Sequence, residues 1–96
     1  MKISFDNNSG NFTLNIEGRL DTTTSCEFEE FLNFNMEQIK ALSINCEKLE
    51  YVSSAGLRAL LTAQKKLQNN LKLTNVQELV MEVFEMTGFA DILVIE

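Results

Sequence analysis

The 96-residue sequence contains no histidine, no proline and no tryptophan, and only two cysteines. Without histidine, neither a Ser-His-Asp triad nor a Cys-His pair can form, and no imidazole is available as a metal ligand. The 8 basic residues are outnumbered by 14 acidic ones, so the basic surface that nucleic-acid binding requires is not expected. No apolar run approaches the roughly 20 residues of a transmembrane helix, and residues 1–5 lack the apolar core of a signal peptide. These absences predict a cytoplasmic protein that does not insert into membranes.

The two cysteines also favour a cytoplasmic protein. Cys26 and Cys46 lie twenty positions apart, which fits neither a Cys-x-x-Cys motif nor zinc-ligand spacing. Each lies in an apolar pattern, so we expect two small buried thiols and no disulfide or metal site. Because 45% of the residues are hydrophobic, the chain can bury a modest core as one domain over residues 1–96.

Alternating apolar and polar residues predict three strands, around residues 12–16, 42–46 and 71–76. Ile3 and Phe5 precede a turn at residues 8–10 and predict a first strand that forms a hairpin with the next. The apolar run at residues 92–95 predicts a last strand, buried or at an edge of the sheet.

Three segments with helical spacing lie between the strands. The first follows threonines and a serine suited to an N-cap, the second has the polar Gln64 on its apolar stripe, and the third ends at Gly88. Their apolar stripes are Phe28, Phe31 and Leu32; then Leu57, Leu60, Leu61 and Leu67; then Leu79, Val80, Val83, Phe84 and Met86. Three residues of the third helix are expected to face outward: Met81, Glu82 and Glu85. The order β-β-α-β-α-β-α-β predicts an α/β or α+β domain with helices against one sheet.

The segment from Leu49 to Leu57 joins a predicted strand to a predicted helix and places Ser53, Ser54 and Gly56 at the helix start. One interpretation is capping, in which a serine accepts a hydrogen bond from a free N–H of the first turn. A nucleophile elbow is excluded, because the first glycine of Gly-x-Ser-x-Gly is missing and no histidine exists. The third interpretation is a phosphorylation switch, since a phosphate at a helix N-terminus meets the positive end of the dipole. A partner that packs on this helix end would then meet a hydrated dianion.

Several motifs in this order resemble the STAS domain (sulfate transporter and anti-sigma factor antagonist). They are Gly18-Arg19-Leu20-Asp21, the strand at residues 42–46, the segment from Tyr51 to Leu61, and Val83-Phe84-Glu85-Met86-Thr87-Gly88-Phe89. The resemblance covers essentially the whole chain. It implies a single STAS-like α/β domain in which helices pack on one side of a small mixed sheet.

The resemblance also implies a function. In freestanding bacterial members, a serine in an Asp-Ser-Ser/Thr-Gly-Leu motif is phosphorylated by a kinase that is also an anti-sigma factor. The unphosphorylated protein binds this kinase and frees the sigma factor, and a metal-dependent serine phosphatase resets the phosphorylated form. Placing Gly56 on the motif glycine makes Ser54 the acceptor, with Ser53 as a fallback acceptor. The partner-binding residues implied are Asp21, Ser53, Ala55, Gly56, Leu57 and Arg58. The protein is then a binding module and a kinase substrate, with no cofactor and no catalytic residue of its own.

The sequence departs from the family pattern at two positions. Ser53 replaces the motif aspartate, and Asn45 stands where the strand often has aspartate. Asp21 has a simpler explanation too, because an aspartate before three threonines is a good turn or N-cap residue. The alternative function is that of a cytosolic STAS subunit that docks on an ABC-type lipid transporter through the same loop.

Overall fold

The computed structural model describes residues 2–96, and its first elements form the predicted hairpin. β1 (Lys2–Asn8) pairs antiparallel with β2 (Asn11–Leu20) around a two-residue turn at Ser9 and Gly10. Both turn residues have positive φ, 56° and 95°, as the turns that suit the twist of a hairpin require. The side chain of Asn7 accepts a hydrogen bond from the N–H of Gly10, at 2.8 Å.

The hairpin forms one end of a five-stranded mixed sheet. β3 (Ala41–Asn45) pairs parallel with the first half of β2, and β5 (Leu71–Thr74) pairs parallel with β3, which gives the order β1-β2-β3-β5. β4 (Leu49–Val52) pairs parallel with the end of β2, where the register shifts between Gly18 and Arg19. The end of β2 is therefore held next to the strand that leads into residues Ser53–Leu57, called the serine segment below.

Three helices cover one face of the sheet: α1 (Ser25–Asn35), α2 (Ser54–Lys66) and α3 (Glu78–Thr87), with a short 3-10 turn at Phe89–Asp91. Alternate strand residues are buried beneath them: Phe12, Leu14, Ile16, Leu42, Ile44, Leu71 and Leu73. The residues between them face solvent at least in part, which is the pattern of a sheet covered on one side. The predicted α/β domain with a small mixed sheet and helices on one side is confirmed. No helix within residues 2–96 has the length and apolar character needed to cross a bilayer.

Two strand predictions need correction. β4 was not predicted, because a four-residue strand with two exposed residues in its middle shows no alternation. The predicted C-terminal strand is only a single bridge between Ile95 and Leu73. In that segment Leu93 is buried, whereas Ile92 and Val94 are 45% and 43% exposed.

Gln64 explains how the C-terminal segment is held. It is buried on the apolar stripe of α2, and its Nε2 donates to the carbonyl of Ile92 at 2.5 Å and to Oδ1 of Asn69 at 3.1 Å. The polar residue in the predicted stripe therefore connects α2 to the end of the chain.

The predicted buried face of α3 is partly wrong. Val80 and Phe84 are buried, but Leu79 and Met86 are 70% and 87% exposed, while Met81 is half-buried against the core. The strand that α3 contacts most is β4, and Val80 and Phe84 form the narrow buried stripe of this helix. Its predicted end is confirmed, because Gly88 has a φ of 83° and donates its N–H to the carbonyl of Glu85.

The expectation of two buried thiols holds for one cysteine only. Cys46 is buried, and burial raises the pKa of its thiol to about 12. Cys26 is exposed on α1, because the helix places Phe28 inward and Cys26, two positions earlier, outward. Both thiols are free.

Candidate functional site at the start of α2

Ser53 caps α2. It lies between β4 and α2 in an extended conformation, and its Oγ accepts a hydrogen bond from the N–H of Gly56 at 3.2 Å. Its own N–H donates to the carbonyl of Leu20 at the end of β2, at 2.9 Å. The capping interpretation of this segment is therefore realised at Ser53, the position of the family's aspartate.

Ser54 is the first residue of α2, and its side chain is exposed. Within residues 2–96 its hydroxyl forms no hydrogen bond, so the structure gives it no capping role. Arg58, one helical turn later, is also exposed, and residues four apart lie on the same side of a helix. The segment thus presents a free hydroxyl at the positive end of a helix dipole, with a cation one turn away.

Gly56 and Leu57 lie beneath this surface. A Cβ on Gly56 would lie 2.5 Å from the carbonyl oxygen of Leu20 and 3.0 Å from a methyl carbon of Val52, so only glycine lets α2 approach β2 this closely. Leu57 is only 6% exposed and belongs to the core. In the free domain its side chain therefore offers little area to a partner, and its role as a partner contact stays a prediction.

Asp21 organises the turn after β2. Its Oδ1 accepts hydrogen bonds from the N–H groups of Thr23 and Thr24 and from the Thr24 hydroxyl, each at 3.1 Å. The backbone N–H of Thr24 is the main cause that holds the pKa of this carboxyl below its ordinary value. Asp21 follows Leu20 directly, so its turn lies at the same edge of the sheet as Ser53. The explanation of Asp21 as a turn residue is confirmed.

Arg19 and Tyr51 form a pair that the sequence reasoning missed. They are paired across β2 and β4, and the Arg19 guanidinium lies 4.1 Å from the centre of the Tyr51 ring. Nε of Arg19 also lies 3.8 Å from the Asp21 carboxylate. Tyrosine and arginine are frequent anchors of protein interfaces, and this pair is exposed next to the serine segment. The signal was hidden because the pair depends on a parallel register with a shift, which no local pattern reveals.

The exposed Ser54 hydroxyl has no hydrogen-bond partner among the described residues, and residues 2–96 contain no cluster of three or more potential metal ligands.

The family assignment follows from sequence comparison. The STAS domain profile matches residues 2–96, nearly the whole chain. The chain belongs to the STAS domain family. A Bordetella bronchiseptica protein named as an anti-sigma factor antagonist (BtrV) is 30% identical over 96 residues, covering 96% of this chain and 83% of its own. The anti-sigma-B factor antagonist of Staphylococcus aureus is 28% identical over 86 residues, covering 85% of this chain and 80% of its own.

Solved structures confirm the STAS fold. The unphosphorylated form of the anti-sigma factor antagonist SpoIIAA matches 99% of this chain and 87% of its own with a TM-score of 0.76, at 14% identity. The structure of Bacillus SpoIIAA in its phosphorylated form has the same TM-score, 0.76. At such identities the similarity is one of fold.

Proposed function

We propose that this STAS protein is an anti-sigma factor antagonist whose binding is switched by phosphorylation of Ser54. The observation that carries the proposal is the separation of roles between two adjacent serines. Ser53 caps the helix, and Ser54 keeps an exposed hydroxyl at its first turn. The antagonist names of the Bordetella and Staphylococcus relatives support the same function.

Phosphorylation at Ser54 would leave the folded domain intact. The phosphate would bring roughly 1.5–2 negative charges to the positive end of α2, with Arg58 one turn away. Ser54 contributes nothing to the core, and the helix cap is formed by its neighbour. The modification would therefore change the surface and leave the packing beneath Gly56 unchanged.

The partner would be a serine kinase that also acts as an anti-sigma factor. Its contact surface would centre on Ser54, Ala55 and Arg58, with Tyr51 beside them and Asp21 at the neighbouring turn. Docking a protein on this surface and then adding a dianion at its centre would leave charge buried without a partner, which costs several kcal/mol. A metal-dependent serine phosphatase would restore binding.

We also propose that the domain works as a binding module, not an enzyme, and that it acts in the cytoplasm. The two free thiols, Cys26 and Cys46, support an intracellular location, because secreted proteins of this size usually pair their cysteines. Docking on an ABC-type lipid transporter has less support, since the Bordetella and Staphylococcus relatives carry antagonist names.

The test is phosphorylation by the anti-sigma kinase of the source organism, with ATP and mapping of the product by mass spectrometry. We expect one phosphate on Ser54 in the wild type and none in Ser54→Ala. The matched control is Ser53→Asp, which keeps an acceptor for the Gly56 N–H but has no hydroxyl, and should still be phosphorylated. Undiminished phosphorylation of Ser54→Ala would refute the assignment, and its loss in Ser53→Asp alone would move the site to Ser53.

A further inference from the structure

β1 is an edge strand with its outer side unpaired. The sheet order β1-β2-β3-β5 leaves one edge of β1 (Lys2–Asn8) without a neighbour within residues 2–96. Apart from Ile3, which is half-buried, every residue of this strand is exposed. An open edge presents a row of free N–H and C=O groups that can pair with another strand.

An apolar groove runs beside this edge, between β1 and α1. The apolar residues that line it are Ile3, Phe5, Phe31 and Phe34. Phe5 is 47% exposed although it packs on Phe31, with ring centres 5.0 Å apart, and Phe34 is 86% exposed. Single exposed apolar residues are common on protein surfaces, but three phenylalanines around one groove form a contiguous apolar patch. Such patches mark interaction sites.

The hairpin geometry determines which groups of β1 point outward. Asn8 and Asn11 flank the two-residue turn and form its hydrogen-bonded pair. Pairs alternate along an antiparallel ladder, so the N–H and C=O groups of Ile3 and Phe5 point away from β2. Their side chains lie on the helix-covered face, and those of Lys2, Ser4 and Asp6 lie on the open face.

The outward edge of β1 is complementary to itself. If two copies of β1 pair antiparallel about Ser4, Ile3 of one copy lies opposite Phe5 of the other in a hydrogen-bonded pair. Lys2 then lies opposite Asp6 of the other copy, in the pair type that brings side chains closest. If the two strands pair about Ile3 or Phe5 instead of Ser4, Lys2 no longer lies opposite Asp6. If they pair about Asp6, the two Asp6 side chains lie opposite each other. Neither Lys2 nor Asp6 forms an ion pair within residues 2–96.

We propose that this protein forms a two-fold symmetric dimer through β1, in the antiparallel register centred on Ser4. The two sheets become continuous, and the two grooves join into one apolar interface above the paired strands. Glu27 and Glu30 border the groove and can keep their carboxylates in water at its rim. The expected interface is of standard size, about 1,200–2,000 Å² in total.

The dimer would leave the serine segment accessible. No residue of the segment Ser53–Leu57 contributes to β1 or to the groove. Each dimer would therefore present two copies of Ser54, so dimerisation neither requires nor blocks the proposed switch.

The test is the association state of the purified protein by sedimentation equilibrium, from about 10 µM to about 1 mM. The wild type should shift from the 10.9 kDa monomer to a dimer as the concentration rises. Lys2→Asp and Asp6→Lys should each weaken the dimer by about tenfold or more, because two pairs per dimer become repulsive. The double variant carrying both changes should restore it to within about threefold of the wild type.

Lys65→Asp is the matched control, since Lys65 is an exposed lysine on α2, outside β1 and the groove. It should leave dimerisation unchanged, and circular dichroism should show that every variant is folded. A wild type that is monomeric at the highest concentration overturns the proposal. A dimer that is insensitive to the single variants, or that the double variant does not restore, overturns the register and with it the β1 interface. These results are independent of whether Ser54 is phosphorylated.

Discussion

The close approach of α2 to β2 can be tested by giving Gly56 a side chain. In Gly56→Ala the new Cβ would lie 2.5 Å from the carbonyl oxygen of Leu20. That oxygen cannot turn aside, because it belongs to the sheet and accepts the Ser53 N–H. Relieving such an overlap costs about 2–3 kcal/mol, and alanine returns about 1 kcal/mol as the better helix former.

The net effect is a loss of about 1–2 kcal/mol in the free energy of unfolding. For a domain of this length the thermal midpoint should fall by roughly 4–16 °C, which differential scanning calorimetry measures directly. Ser54→Ala is the control, two positions away and exposed, and should change stability by no more than about 0.5 kcal/mol. A Gly56→Ala protein as stable as the wild type would show that the close contact between α2 and β2 does not exist.

Two further predictions concern thiols and acid. In the native protein at pH 8, Ellman's reagent should react quickly with Cys26 alone, because burial raises the pKa of Cys46 to about 12. Both cysteines should react after denaturation. Two fast-reacting thiols in the native protein would contradict the burial of Cys46. Asp21→Asn should lower the thermal midpoint at pH 7, since the N–H groups of Thr24 and Thr23 stabilise the ionised carboxyl and lower its pKa. A lowered pKa stabilises the fold above the ordinary value of 3.8 and loses that effect as the pH falls through the folded-state pKa. The difference between the two proteins should therefore close in acid, and a difference that persists unchanged there contradicts the mechanism.

The fold was largely readable from sequence because most strands bury one face only. Phe12, Leu14 and Ile16 alternate with polar residues, and this period of two is a local signal that the structure preserves. The wrong predictions of burial have a common physical cause. Whether a residue at the end or edge of a helix or strand is buried depends on which other element packs against it. Cys26 and Leu79 each sit in an apolar pattern, yet no neighbouring element covers them.

At the candidate site, too, local features were predicted from the sequence and long-range contacts were not. The segment from Ser53 to Gly56 was found from its position before a helix, which is a local feature. The Leu20 carbonyl that binds Ser53 and excludes a Cβ at Gly56 lies more than thirty residues away along the chain. The pairing of Arg19 with Tyr51 depends on the same register between β2 and β4. Such contacts are set by topology, so the sequence alone indicates the loop but not its surroundings.

The serine at position 53 changes what a phosphate on Ser54 would meet. An aspartate there could accept the Gly56 N–H just as Ser53 does, but it would add a negative charge beside the phosphate. With Ser53 the cap remains and the neighbouring charge is absent. A phosphate would then be stabilised by the helix dipole and by Arg58, with little opposing repulsion from the cap. The cost of phosphorylation would therefore fall on the complex with the partner and not on the folded domain, as a switch that acts through binding requires.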